Sequence, residues 1–204
     1  MQKRSWLLSL SVSLLAIVLA SAACQTSQPA ADPPASPPYV PTSTIKDLMD
    51  SIVDTNADVV WLSVSTVSTE KGLIETAPKT DEDWDKVRHG AITLAEAANL
   101  LMIPGRHVAR PGEKSETPGV ELEPEEMEAI INKDRAAWNK RATALHDAAM
   151  VALKAIEAKD ADQVFQVGSQ IEEACENCHS KYWYPNEKIP DFPSDFVPPV
   201  RSGS

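Results

Sequence analysis

The chain has 204 residues, with 19 Lys+Arg against 30 Asp+Glu and a formal net charge of -11 at pH 7. Gripping a phosphate backbone requires basic surface, so this balance excludes nucleic acid as a partner. A composition of 43% hydrophobic but only 5% aromatic residues, with 16 Pro against 7 Gly, points to one globular domain of packed helices joined to stiff Pro-rich segments.

Residues 1–23 read as an export leader: Lys3 and Arg4 form a charged start, Trp6 to Ala20 is an uncharged Leu-rich run, and Ser21-Ala22-Ala23 closes it with small residues. Its removal takes away two cations and no anion, leaving 17 Lys+Arg against 30 Asp+Glu and a charge of -13. Export places the protein in the periplasm. Cys24, directly after Ala-Ala, resembles the lipidated cysteine of bacterial lipoproteins, which would anchor the chain to a membrane; ordinary cleavage before Cys24 is the competing reading. An uncleaved anchor helix is disfavoured, because the apolar run is short and broken by Ser9, Ser11 and Ser13. Residues 24–42 form a Pro-rich linker, six Pro lying between Pro29 and Pro41, able to hold a domain about 50 Å from a surface at ~3.1 Å per residue.

Helical periodicity begins at residue 44 and is predicted to run to 67, with Ile45, Leu48, Met49, Ile52, Val53, Asn56, Val59, Val60 and Ser63 on one stripe and Ser43 or Thr42 as cap. Residues 68–79 have no clear period. Thr80 and Asp83 make a capping-box-like start to a second helix, whose stripe Trp84, Val87, Ala91, Leu94, Ala98, Leu101, Met102 stops at Pro104-Gly105. After a Gly/Pro loop over 105–124, whose Pro124 fits the first turn of a third helix, that helix is predicted to reach Lys159, with the seam Trp138, Ala142, Leu145, Ala149, Ala152, Ile156. Asp160 and Gln163 cap a fourth helix with Val164, Val167, Ile171, Ala174 and Cys178 inward. The fold expected over residues 43–184 is all-α, an antiparallel up-down-up-down four-helix bundle, followed by a Pro-rich tail over 185–204.

Near the end of the fourth helix stands Cys175-Glu176-Asn177-Cys178-His179, the C-x-x-C-H pattern of covalent haem c attachment. Positions i, i+3 and i+4 share a helix face, so two sulfurs and one imidazole can address the same group, and covalent bonding retains it after export. A Cys175–Cys178 disulfide, a thioredoxin-like pair and a zinc site remain as readings of the two cysteines, but each leaves the adjacent His179 without a role.

This pattern close to the C-terminus of a four-helix chain resembles the class II cytochromes c, cytochrome c' and its low-spin relatives, and His179-Ser180-Lys181-Tyr182-Trp183 is similar to that family's ending. The resemblance covers roughly residues 43–184. It implies haem c held covalently by Cys175 and Cys178 near the C-terminal end of helix 4, with His179 as proximal iron ligand. It also raises a homodimer through the first two helices. The long 105–124 loop, the N-terminal spacer and the tail depart from the family.

In the expected bundle, helix 4 ends beside the start of helix 1, the end of helix 2 and the start of helix 3. Met49, on the inner stripe of helix 1, is therefore the first candidate for the distal iron ligand, as in the low-spin relatives, and Met102 and His107 at the same pole are weaker candidates. Met49 on iron makes the protein an electron carrier whose Met/His pair raises the reduction potential. An open sixth position, capped by Leu48, would instead bind NO or CO as cytochrome c' does. A haem-bearing subunit of a larger redox assembly is the third reading. No nucleophilic triad or phosphate loop frames an enzyme. The acidic surface suits a redox partner with a basic docking surface. Arg106, His107 and Arg110 are candidates for pairing the haem propionates, and Trp183 for shielding the haem edge.

Overall fold

The computed structural model describes residues 39–187. The leader, Cys24, the linker up to residue 38 and the tail from 188 lie outside the described residues.

The first helical rod is α1 (Ile45–Leu48), a π-helical turn over Met49–Val53, and α2 (Asp54–Trp61). Thr44, one residue beyond the expected Ser43, is its cap: the Thr44 hydroxyl accepts from the Asp47 N–H at 3.0 Å, and the Asp47 carboxylate accepts from the Thr44 N–H at 2.9 Å. A π turn carries one residue more than an α turn and loosens the carbonyl ladder. Side chains occupy these carbonyls: Thr55 Oγ1 donates to Ser51 at 3.1 Å and Asn56 Nδ2 to Ile52 at 2.7 Å. The extra residue shifts the inward face, so that Leu48 is followed by Val53, Ala57 and Val60, and Ala57 rather than Asn56 or Val59 is fully buried.

The rod stops at Trp61, six residues before the sequence-based boundary. Ser65–Thr69 forms strand β1, paired antiparallel with β2 (Gly72–Thr76) in the register Val67↔Ile74. The run Ser-Thr-Val-Ser-Thr loses side-chain freedom in a helix and competes for backbone hydrogen bonds, and Gly72 at φ +113 supplies the left-handed residue at the turn.

The second rod, α3 (Asp81–Leu101), starts with the Thr80/Asp83 capping box. The third is divided into α4 (Pro124–Lys133) and α5 (Arg135–Glu157) rather than continuous. Asp134 leaves helical geometry at φ -140 and ψ 73, and its carboxylate accepts from the Ala137 N–H at 2.9 Å, so it ends one helix and caps the next. The fourth rod, α6 (Ala161–Tyr182), is capped by Asp160, which accepts from the Gln163 N–H at 3.0 Å.

The structure is thus mostly helical. α2 packs on α3, α3 on α5, α5 on α6 and α6 back on α2, which closes a four-sided circuit. Close approach is made possible by small residues: at Gly90 an added Cβ would stand 2.6 Å from Val59 Cγ1. Two buried clusters fill the interior. The larger centres on Leu94, Ala149, Ile156, Val167 and Ile171, and the smaller joins Ile45, Leu48, Leu101, Val108, Trp138 and Tyr182. Met49 and Ile52 pack against both, whereas Cys175 leans on the first and Cys178 on the second. The core is therefore parted at the level of the cysteine pair.

Candidate functional site

A cavity of about 1320 Å³ lies at that parting. Its apolar walls come from both clusters, Val53, Ala57, Leu145 and Ala174 on one side and Leu101, Trp138 and Ala142 on the other. Cys175, Cys178 and His179 line it from α6, and Met49 lines it from the first turn of the π segment. The loop before α4 contributes Thr117, Gly119, Val120 and Glu121, with Gly119 at φ +91 in the left-handed conformation.

The end of α6 is fixed by the residues after it. Trp183 and Tyr184 both donate their N–H to the His179 carbonyl, at 2.8 and 3.0 Å, and the Trp183 carbonyl accepts from Leu122 N–H at 2.8 Å. Tyr182 is buried and meets Trp138 edge-on at 5.1 Å, while Trp138 Nε1 donates to the Leu101 carbonyl at 2.8 Å. The His179 ring stands edge-on to Trp183 at 5.1 Å and tilted to Tyr184 at 5.8 Å. Trp183 keeps 41% of its surface in solvent.

Burial pushes the Cys175 thiol up to about 12, helped by the nearby Glu172, and burial pushes Cys178 up to about 11 against the opposing charge of Arg141. A redox pair works through its thiolate, so these protonated thiols disfavour the thioredoxin-like reading. Both sulfurs are free, not joined to each other. Among the described residues no group of three or more His, Cys, Asp or Glu is arranged around a bare metal ion. Burial lowers the His179 pKa, with Glu176 the main opposing influence, so the ring is held neutral with a lone pair available.

The structure thus brings Met49 into the same cavity as Cys175, Cys178 and His179. It does not bring the other candidates there. Met102 is half-buried beside Thr143 Oγ1 at 3.7 Å, and His107 faces out, 3.1 Å from Glu128. The expected trio for anionic groups is otherwise engaged: Arg106 is buried and donates to the Ser43 and Leu100 carbonyls, and Arg110 pairs with Asp47 at 2.6 Å. The arginine on the cavity wall is Arg141, whose Nε donates to the Asn177 carbonyl at 3.0 Å. Its position three residues after Trp138 on the α5 seam was the available signal. Asp50, Asp54, Glu121, Glu172, Glu176 and Glu187 also border the cavity, which makes its mouth acidic.

Ligand pockets usually span about 300–1000 Å³, so this one has room for a large group. Two neutral thiols and a neutral imidazole on one helix face, apolar walls and a thioether opposite fit a planar macrocycle with a bound transition metal.

No protein-family model matches the chain, and no curated protein matches it in sequence. Among solved structures its neighbours are cytochromes c'. One cytochrome c' shares 17% identity over 68% of this chain and 88% of its own, with a TM-score of 0.42. A nitric oxide complex of a mutant of cytochrome c prime from Alcaligenes xylosoxidans shares 16% identity over 69% and 96%, with a TM-score of 0.42. A ferrous variant of cytochrome c prime from the same organism shares 15% over 69% and 97%, with a TM-score of 0.41.

Proposed function

We propose that this chain is an exported monohaem c-type cytochrome that transfers electrons, built as an antiparallel up-down-up-down bundle. Cys175 and Cys178 hold the haem as thioethers, His179 Nε2 takes the proximal position on iron, and Met49 takes the distal one. The observation that carries this reading is the convergence of Cys175, Cys178 and His179 from the fourth rod and Met49 from the first on one cavity of about 1320 Å³. When bound, the haem supplies a one-electron iron couple whose potential a Met/His pair raises.

The chain's own residues do the rest. Val53, Ala57, Leu101 and Leu145 keep water from the cavity and lower its dielectric, which favours the less charged, reduced iron. The acidic mouth draws in a partner with a basic docking surface and raises the encounter rate at low salt. The leader directs the protein to the periplasm, with a lipid on Cys24 as the route to a membrane. No described helix is long and apolar enough to cross one.

The test is the optical spectrum of the mature protein, oxidised, reduced and with CO. Haem that survives acid-acetone extraction, and is lost in the Cys175→Ala/Cys178→Ala variant, is the expected result. A sharp reduced α-band and a far-red ferric band that disappears in Met49→Ala place methionine on iron and support electron transfer. Immediate CO binding by the unaltered protein would remove Met49 from that role and make it a gas-binding haem protein. Absence of covalent haem would overturn the assignment entirely.

A further inference from the structure

The proximal histidine has a carboxylate built beside it that the attachment motif does not require. Glu176 occupies the first variable position of that motif, one turn before His179. Its Oε1 lies 3.7 Å from His179 Nδ1, just beyond hydrogen-bond length, so its negative charge faces the Nδ1 side of the ring. Its other oxygen, Oε2, accepts from the Tyr184 hydroxyl at 2.7 Å. One carboxylate thus bridges the imidazole and a phenol that comes from beyond the end of α6.

Tyr184 is not loose. Its N–H donates to the His179 carbonyl at 3.0 Å and its own carbonyl accepts from the Glu187 N–H at 3.0 Å. Its ring lies 5.8 Å from His179 and 5.4 Å from Trp183. The phenol O–H is the donor in this pair and the Glu176 carboxylate the acceptor.

We propose that Glu176, held by the Tyr184 hydroxyl, is the positioning residue of His179: it fixes the proton on Nδ1, leaves Nε2 for iron, and its charge lowers the reduction potential while Tyr184 moderates that effect. This rests on the haem reading above and goes beyond it. A ligating histidine donates its second ring N–H to an outer acceptor, and an anionic acceptor makes the ring a stronger donor. A stronger donor stabilises the more positive, oxidised iron. The Tyr184 hydroxyl withdraws charge from the same carboxylate, so the two residues act with opposite sign. Glu172 and Asp54 also bear on the imidazole, but only through longer-range attraction.

The experiment compares Glu176→Gln, Tyr184→Phe and the double variant in the haem-loaded protein by reduction potential and by the Nδ1–H resonance of His179 in the ferrous form. Glu176→Gln is expected to raise the potential and move the Nδ1–H resonance upfield. Tyr184→Phe is expected to lower the potential, and to have little further effect once Glu176 is Gln, since the charge it moderates is gone. A merely structural role would change haem content or thermal midpoint and leave these opposed signs absent. Potentials that do not move, or that move in the same direction in both single variants, overturn the inference while the haem assignment stands. A chain without covalent haem overturns both.

Discussion

Gly90→Ala tests how closely α2 and α3 are pressed together. The added Cβ would lie 2.6 Å from Val59 Cγ1, 3.0 Å from Val59 Cβ and 3.6 Å from the Asn56 carbonyl. Carbon pairs favour about 3.5–4.0 Å, so the tightest contact falls short by about 1 Å. Val59 is β-branched and stiff at χ1, which leaves movement of the helix as the main relief. Overpacking of this kind costs about 1–3 kcal/mol. Replacing Gly by Ala inside a helix returns about 1 kcal/mol through backbone entropy and propensity. The net expectation is a loss of about 1 kcal/mol, or a fall in Tm of roughly 2–4 °C for a domain of this size. The sign must reverse when the clash is removed. In a Val59→Ala background Gly90→Ala should stabilise by about 1 kcal/mol, giving a coupling of about 2 kcal/mol between two sites in contact. Urea unfolding of the four proteins in the cycle measures this. Stabilisation by Gly90→Ala in both backgrounds would refute the close approach of the two helices.

Arg106→Ala removes the guanidinium from the part-buried Ser43 and Leu100 carbonyls and should cost about 1 kcal/mol in urea unfolding; an unchanged midpoint would show that water replaces the guanidinium. The Asp83 pKa is lowered chiefly by the Lys79 and Thr80 N–H groups, so its share of stability is present above the ordinary Asp range and is lost as pH falls below about 4. Asp83→Asn should flatten the acid limb of a stability-versus-pH curve, and an unaltered limb would contradict the cap. Trp183→Ala removes the edge-on partner of His179 and should shift the haem absorption and potential; no change in either, together with an unchanged Tm, would end the shielding role.

Much of the molecule was legible because it is local. The Thr80/Asp83 box, the Asp160/Gln163 cap, the α5 seam from Trp138 to Ile156 and the α6 stripe all follow from neighbours three or four residues apart, and all stand where the periodicity placed them. The grouping of Cys175, Cys178 and His179 on one face is likewise a property of helical spacing. Three features of the rods escaped that reading. The π turn at Met49–Val53 sits on a sequence compatible with ordinary helix, and its extra residue puts Ala57 rather than Val59 on the buried face. Hairpin formation at Ser65–Thr76 cut short a helix expected to run to residue 67. Asp134 broke a helix expected to run unbroken from Pro124, because its side chain caps the Ala137 N–H at the start of a new helix.

The sequence by itself determined where the four helical rods lie to within a turn or two, where most of them are capped, and that two thiols and an imidazole share a face. Only the tertiary structure decided what those groups look out on. Met49 lines the cavity whereas Met102 and His107 do not, Arg141 took the cavity wall while Arg106 and Arg110 were drawn into other contacts, and Tyr184 reached back to Glu176 because the chain turns at the end of α6. Local patterns act over a few residues and are set by backbone geometry. Partners from different rods are set by how the helices pack, and no periodicity within one helix encodes that.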